Sequence, residues 1–211
     1  MMRYEKKYQI LHLSKSAVEQ IIRLHPAGFR KGFPDRQVNN IYFDTLDLQT
    51  CLHNMDGINQ RKKFRLRWYG KNLKELKKPT FEIKIKHNEL GRKINTAMPD
   101  TLLSPLSGIT TRINKLNKTI RLYPTLLNSY ERSYFITHGN KFRITIDWNM
   151  QFYKPLHKDG FHIFPCTKQS IILEVKYAQS ESEKASTILK YLPFRQTKSS
   201  KYVTGISLFS N

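Results

Sequence analysis

Polar and apolar residues alternate along several stretches of this chain, and the alternation is its main structural signal. Successive side chains of a β-strand point to opposite sides, so a two-residue period predicts a strand with one apolar face. The pattern predicts strands over residues 3–10, 38–44, 61–69, 80–86, 123–137, 141–148, 171–177 and 201–209. Residues 160–167 fit either a loop or a short strand.

Helical spacing of apolar residues is confined to the segments between these strands. Ser16 and Glu19 fit a capping box, followed by a helix over residues 17–24. Residues 28–34 are expected to form a loop. No shift in composition marks a domain boundary, so residues 1–211 are expected to form a single domain of the α+β class. Further helices are expected over residues 46–54, 102–120 and 182–192.

The polar positions of the strands carry charge more often than neutral side chains. Arg65 and Arg67 share one face of their strand, and Tyr130 and Arg132 share one face of theirs. An ordinary half-exposed sheet explains any one of these strands. Taken together, they favour a closed antiparallel β-barrel with its apolar faces outward under helices and a polar, basic lumen. Like charges enclosed in this way repel, and a bound polyanion would relieve the repulsion.

The overall charge points to the same class of partner. Lysine and arginine number 37 against 16 acidic residues, which gives a formal net charge of +21. Such an excess favours nucleic acid, an anionic membrane surface or a phosphate-rich substrate, although a ribosome-associated protein would also fit. Cys51 and Cys166 make no disulfide framework. With no apolar signal core and no apolar run near the roughly 20 residues of a membrane span, a soluble, cytoplasmic protein is expected.

Seven short segments carry a resemblance to a known family. They are RYEKKY (3–8), NIYFDT (40–45), RLRWYG (65–70), FEIK (81–84), YER (130–132), LEVKY (173–177) and KSSKY (198–202). None is specific alone, but in this order they resemble the catalytic domain of the vacuolar transporter chaperone (VTC) polyphosphate polymerases. That domain belongs to the triphosphate tunnel metalloenzymes, beside the CYTH triphosphatases. The resemblance runs from residue 3 to about residue 205, and it implies a tunnel barrel.

The resemblance also implies an activity and a site. The activity is an ATP-dependent polyphosphate polymerase that moves the terminal phosphoryl group of ATP to a growing inorganic polyphosphate chain, with Mn²⁺ or Mg²⁺. Carried over position by position, the catalytic cations would be Lys7, Arg65, Arg67, Lys84, Arg132, Arg143 and Lys201. Substrate phosphate would also contact Lys93, Tyr130, Lys198 and Ser200, and the metal carboxylates would be Glu174 and Glu5.

Departures from the family pattern keep alternatives open. The triphosphatase branch opens with E-x-E-x-K, and Arg3 replaces the first Glu here, which favours the polymerase. Glu5 would hold metal or pair with a neighbouring cation. Glu82 would contact metal or orient Lys84, and the second is expected. Asp147 would support the metal site from behind or pair with an arginine, and the pairing is expected. A triphosphatase on the same fold and a non-enzymatic binder of polyphosphate or RNA are the alternative functions.

The partners follow from the same reasoning. ATP and inorganic polyphosphate are the expected ligands, and no specific nucleic acid is expected. No P-loop sequence occurs in the chain. The sequence leaves open a membrane-protein partner that would recruit the chain, and it does not give the oligomeric state.

Overall fold

The structure is a computed structural model that describes residues 3–88, 90–156, 160–162 and 164–210. The strands are β1 (Arg3–Ile10), β2 (Arg30–Asp44), β3 (Gln60–Tyr69), β4 (Glu75–Leu76), β5 (Thr80–His87), β6 (Leu90–Ala97), β7 (Thr101–Leu102), β8 (Tyr123–Ile136), β9 (Phe142–Tyr153), β10 (Pro155–Leu156), β11 (Gly160–Phe161), β12 (Cys166–Lys168) and β13 (Ile171–Ala178). The helices are α1 (Lys15–Arg23), α2 (Gln49–Met55), α3 (Leu106–Leu116), α4 (Ser182–Leu189) and α5 (Lys201–Ser207).

Antiparallel pairing joins nine of the strands into one sheet. Their order is β12-β9-β13-β1-β6-β5-β3-β2-β8, and β8 pairs in addition with β9. Starting from β9, the pairing therefore passes through eight strands and returns to β9. Among the described residues, the link between β1 and β6 rests on the single register pair Arg3 and Gly91. Farther along β1, the backbone N–H of Thr197 donates to the carbonyl of Lys7 at 2.8 Å, so the chain near residue 197 lies beside this strand.

One side of the sheet is apolar and packs under helices. Val18 and Ile22 of α1 pack with Leu173 and Val175 of β13 in one core cluster. A second cluster joins Leu66, Trp68 and Phe81 to Ile109 and Ile113 of α3. The opposite side, called here the charged face, carries the predicted site residues Lys7, Arg65, Arg67, Lys84, Arg132 and Glu174, as alternation requires.

The predicted strand over residues 201–209 is wrong, because α5 occupies this stretch. Ser200 caps the helix, and its hydroxyl accepts a hydrogen bond from the backbone N–H of Val203. A Cβ on Gly205 would lie only 2.3 Å from Leu126, so glycine permits the close approach of the helix to β8. Tyr202 packs against residues of the charged face, among them Tyr42 at 4.9 Å between ring centroids. The expectation that helices lie only under the apolar faces therefore fails for α5.

Three further differences have local causes. Helix α1 begins two residues early, because the hydroxyl of Ser14, not Ser16, accepts from the N–H of Ala17. Much of the predicted loop over residues 28–34 belongs to β2, where register shifts accommodate Pro34. Strand β6 was not predicted, since most of it is exposed and gives no apolar period. The segment 160–167 contains β11 and β12, with residue 163 outside the described residues.

The remaining predicted strands are present, with ends shifted by up to eight residues, and the helices over residues 46–54, 102–120 and 182–192 are shorter than predicted. Antiparallel sheet with helices confirms the predicted fold class at this level. Within the described part of the chain, no helix has both the length and the apolar character to cross a lipid bilayer.

Candidate functional site

Side chains of the charged face meet across strands that are not neighbours in the sheet. The Lys84 ammonium on β5 donates to Glu5 Oε2 on β1 at 2.5 Å. An Arg67 guanidinium nitrogen on β3 donates to the Tyr130 hydroxyl on β8 at 3.3 Å. The name basic cluster is used here for the charged side chains of this region together with Tyr130. They are Glu5, Lys7, Lys63, Arg65, Arg67, Glu82, Lys84, Lys93, Arg132, Arg143, Asp147, Glu174, Lys176 and Lys201.

Glu5 and Glu174 form a carboxylate pair inside the basic cluster. Lys7 lies directly opposite Glu174 in the register of β1 and β13, and the Glu5 side chain lies close enough to Glu174 to affect its pKa. Glu174 is 7% exposed, and Lys176 lies 3.3 Å from its Oε2. Burial raises the pKa of Glu174, but the Lys176, Lys7 and Lys84 ammonium groups outweigh it and hold this pKa well below its usual range.

The carboxylate pair fits a small hard cation. Mg²⁺ in proteins is bound through one or two carboxylates, with water and substrate phosphate completing the coordination. Among the described residues, no group of three or more His, Cys, Asp or Glu side chains could hold a metal ion. The carboxylate oxygens of Glu5 and Glu174 are compatible with a metal site that water and phosphate would complete. Glu5 was expected either to hold metal or to pair with a neighbouring cation. It pairs with Lys84, and this pairing is compatible with the metal role.

Glu82 holds a second part of the basic cluster. Arg65 lies opposite it in the strand register, and the Arg65 Nε donates to Glu82 Oε2 at 2.5 Å. The Lys93 ammonium donates to Oε1 at 2.6 Å, and Arg67 approaches to 3.9 Å. Burial raises the pKa of Glu82, but Arg65 and Arg67 hold it well below its usual range. The expectation that Glu82 orients Lys84 is wrong, since Lys84 pairs with Glu5.

Asp147 holds a third part, and it pairs with an arginine as expected. Arg132 contacts both carboxylate oxygens, at 2.5 and 2.7 Å, and the Lys201 ammonium donates to Oδ2 at 2.6 Å. Asp147 is fully buried, which raises its pKa, yet Arg132 and Lys201 lower that pKa to about 2. The Tyr130 ring lies beneath both cations, 4.7 Å from the Lys201 ammonium and 5.2 Å from Arg132.

Lys63 is a cluster residue that the sequence-based assignment missed. Its ammonium donates to the Ser200 hydroxyl at 2.7 Å, and in the described residues no carboxylate lies within salt-bridge distance of it. Burial and the nearby charges of Lys7 and Lys84 lower the pKa of Lys63 well below its usual range. The same alternation that placed Arg65 on this face also places Lys63 there, so the signal was present.

Other cluster residues are less enclosed. The Lys7 ammonium donates to the backbone carbonyl of Ser199 at 2.8 Å. Arg143 lies opposite Lys176 in the register of β9 and β13, at the edge of the cluster. Lys198 is on the segment that leads into α5, and its side chain is exposed. Lys176 belongs to the LEVKY segment and was not predicted to be a site residue, yet its ammonium group lies beside the Glu174 carboxylate.

Comparison with known proteins places the chain in a family. A sequence comparison with curated proteins finds no match. A family model for the VTC domain, in contrast, matches residues 2–210. The chain belongs to the VTC domain family.

Solved structures agree with this VTC domain at the level of fold. A candidate adenylate cyclase from Vibrio parahaemolyticus is similar with a TM-score of 0.54 and 14% identity, covering 95% of this chain and 97% of that one. A candidate adenylate cyclase from Bacillus halodurans gives 0.52 and 14%, covering 94% and 95%. The protein PH1819 from Pyrococcus horikoshii gives 0.53 and 11%, covering 99% of both chains. At these identities the likeness supports the triphosphate-tunnel (CYTH-like) fold.

Proposed function

We propose that this VTC domain is a polyphosphate polymerase that uses ATP. In this proposal residues 1–211 act as one catalytic domain, and the charged face lines a closed channel that holds a row of phosphates. The terminal phosphoryl group of ATP moves to the end of an inorganic polyphosphate chain, and ADP is released. The triphosphate-tunnel fold and the family match support an enzyme of this class.

The observation that carries the proposal is the meeting of cations from separate strands around the Glu5 and Glu174 pair. The basic side chains of this region outnumber the four acidic residues that the structure describes there, Glu5, Glu82, Asp147 and Glu174. A folded protein keeps such an excess of like charge together at a cost in stability. Phosphate oxygens entering between the cations would offset that cost.

The chain's own residues have separable tasks in the reaction. Arginine presents a planar fork of donors, so Arg65, Arg67 and Arg132 are suited to fix phosphate oxygens in place. An oxygen of the terminal phosphate of the polymer attacks the γ-phosphorus of ATP, and the bond from that phosphorus to the β-bridging oxygen breaks. ADP leaves with the electron pair. The transition state is loose, so holding the two phosphates in line and neutralising equatorial charge is the main contribution of the protein.

A divalent ion, Mn²⁺ or Mg²⁺, would be held by Glu174 and Glu5 together with phosphate oxygens. It would neutralise charge on the transferring group. Lys84 donates to Glu5 and lies close enough to Glu174 to be affected by its charge. Its positive charge would keep both carboxylates in place when negatively charged phosphates bind beside them. Lys201 and Ser200 at the start of α5, with the neighbouring Lys198, would bind phosphate at the end of the site that α5 covers.

A product assay tests the proposal. The purified chain is incubated with ATP and Mn²⁺ or Mg²⁺, and the products are separated on a gel that resolves polymer from orthophosphate. The expected product is phosphate polymer, lost in Arg65→Ala and kept in Arg112→Ala, which removes the same charge from an exposed position on α3. Orthophosphate as the sole product would assign a triphosphatase. Polyphosphate binding without metal-dependent turnover would assign a binding protein.

A further inference from the structure

Four side chains form an aromatic and cationic patch at one edge of the charged face. They are Phe33 and Arg36 of β2, Tyr69 of β3 and Tyr134 of β8. The Arg36 guanidinium carbon lies 5.4 Å from the Phe33 ring centroid, 5.8 Å from that of Tyr69 and 5.7 Å from that of Tyr134. Phe33 and Tyr134 also meet edge to face at 5.7 Å. This set is called here the aromatic patch.

Backbone irregularity in β2 builds the patch. In a regular strand Phe33 and Arg36 would point to opposite sides, since they are three residues apart. The register with β8 shifts on both sides of Phe33, so that Phe33 lies opposite Tyr134 and Arg36 lies opposite Arg132. Both side chains consequently reach the same tyrosine ring. Bulges of this kind are common beside active sites, where they re-aim a side chain.

The patch is open to ligand and lies next to the basic cluster. Phe33 is 44% exposed and Tyr69 is 45% exposed. Tyr69 is two residues beyond Arg67 on the same face of β3, a separation of about 7 Å along the strand. Arg36 is exposed, and among the described residues no carboxylate lies within salt-bridge distance of it. The patch also lies toward the opposite end of β8 from Leu126, which contacts α5.

We propose that the aromatic patch binds the base of the nucleoside triphosphate. This inference rests on the proposed function, because it assigns the base of that donor a site beside its phosphates. A base has a flat π-face that stacks on tyrosine, phenylalanine and the plane of an arginine guanidinium. The patch offers all three surfaces, and stacking on them uses the π-face that every base has. The structure therefore assigns a stacking site that accepts nucleotides generally.

Binding of two ligands to the same variants tests this inference. ATP has a base, and inorganic tripolyphosphate has the phosphates alone. We expect Tyr69→Leu and Arg36→Gln each to weaken ATP binding about tenfold while leaving the dissociation constant of tripolyphosphate within about twofold. GTP should lose as much as ATP. A matched control is Arg121→Gln, since Arg121 lies 5.7 Å from the ring of Tyr123 at the other end of β8.

The outcomes separate this inference from the proposed polymerase. Equal loss of ATP and tripolyphosphate, or no loss of either, would overturn the base site, whether or not wild-type protein makes polymer. Selective loss of ATP affinity would support the base site even if the gel showed orthophosphate alone. Retained tripolyphosphate binding in each variant also shows that the variant is folded.

Discussion

Removing the carboxylate of Glu82 is the sharpest test of how the basic cluster is held together. Glu82→Gln keeps the size of the side chain and leaves Arg65, Lys93 and Arg67 without their shared anion. Breaking one partner out of a buried ion pair costs about 3–5 kcal/mol. Because Lys93 is 40% exposed and is screened by water, we expect the lower value, about 3 kcal/mol. For a chain of this size that corresponds to a fall in melting temperature of about 6–12 °C.

Thermal unfolding with and without tripolyphosphate measures this effect. Phosphate oxygens can replace the lost carboxylate, so the ligand should stabilise Glu82→Gln more than it stabilises the wild type. High salt should shrink the difference between the two proteins, since it screens the repulsion. The pKa of Glu82 is depressed in the folded state, so its contribution is present above the ordinary glutamate pKa of about 4.3 and is lost as pH falls below it.

The matched control is Glu75→Gln. Glu75 is exposed and lies 3.7 Å from Lys77, so its loss should change stability by less than about 0.5 kcal/mol. If Glu82→Gln melts at the wild-type temperature and gains no extra stability from tripolyphosphate, the carboxylate does not balance these cations, and the reasoning for the cluster is refuted.

Three further predictions address other parts of the molecule. Glu174→Gln should lower turnover about 100-fold or more while tripolyphosphate binds at least as tightly, as kinetics and calorimetry would show; unchanged turnover would remove Glu174 from the site. Burial lowers the pKa of Lys84 to about 8, and bound phosphate should raise it. Binding near pH 8 should therefore take up protons and tighten as pH falls, and calorimetry in buffers of different ionisation enthalpy would detect the uptake; no uptake would contradict this. Tyr202→Phe removes a 2.6 Å hydrogen bond to the buried Asp44 carboxylate and should cost about 2 kcal/mol in urea unfolding; an unchanged midpoint would show that the bond adds no stability.

The alternation of side chains predicted much of the fold because it is a local signal with a direct physical cause. The strands that were predicted to have one apolar face are present, and their charged side chains lie on the opposite face, as predicted. Strand β6 did not, since its side chains are mostly exposed and have no apolar period to reveal. Helix α5 was wrongly predicted as a strand, because the Ser200 cap and the close approach of Gly205 to Leu126, which decide the helix, depend on the three-dimensional structure.

Which side chains of the site contact each other was harder to predict than which residues belong to the site. Whether Glu82 meets Lys84 or Arg65 depends on the strand register, which puts Arg65 opposite Glu82. Register depends on contacts between distant parts of the chain, so a local pattern does not contain it. Likewise, the position of Lys63 follows from alternation, but its neighbour Ser200 comes from a segment 137 residues away.

The cations of the basic cluster are of two kinds: some are bonded to a carboxylate, and others are bonded to a neutral oxygen. Arg65 is bonded to Glu82 and Arg132 is bonded to Asp147, so both guanidinium groups are fixed and partly neutralised within the protein. Lys63 instead donates to a neutral oxygen of Ser200, which holds its position and leaves its charge unbalanced. Positioned arginines favour geometric control of phosphate, while unbalanced lysines favour attraction of a polyanion. The unbalanced ammonium group of Lys63 lowers the stability of the folded protein. A ligand that neutralises this group removes the cost, and the free energy recovered in this way adds to the affinity of binding.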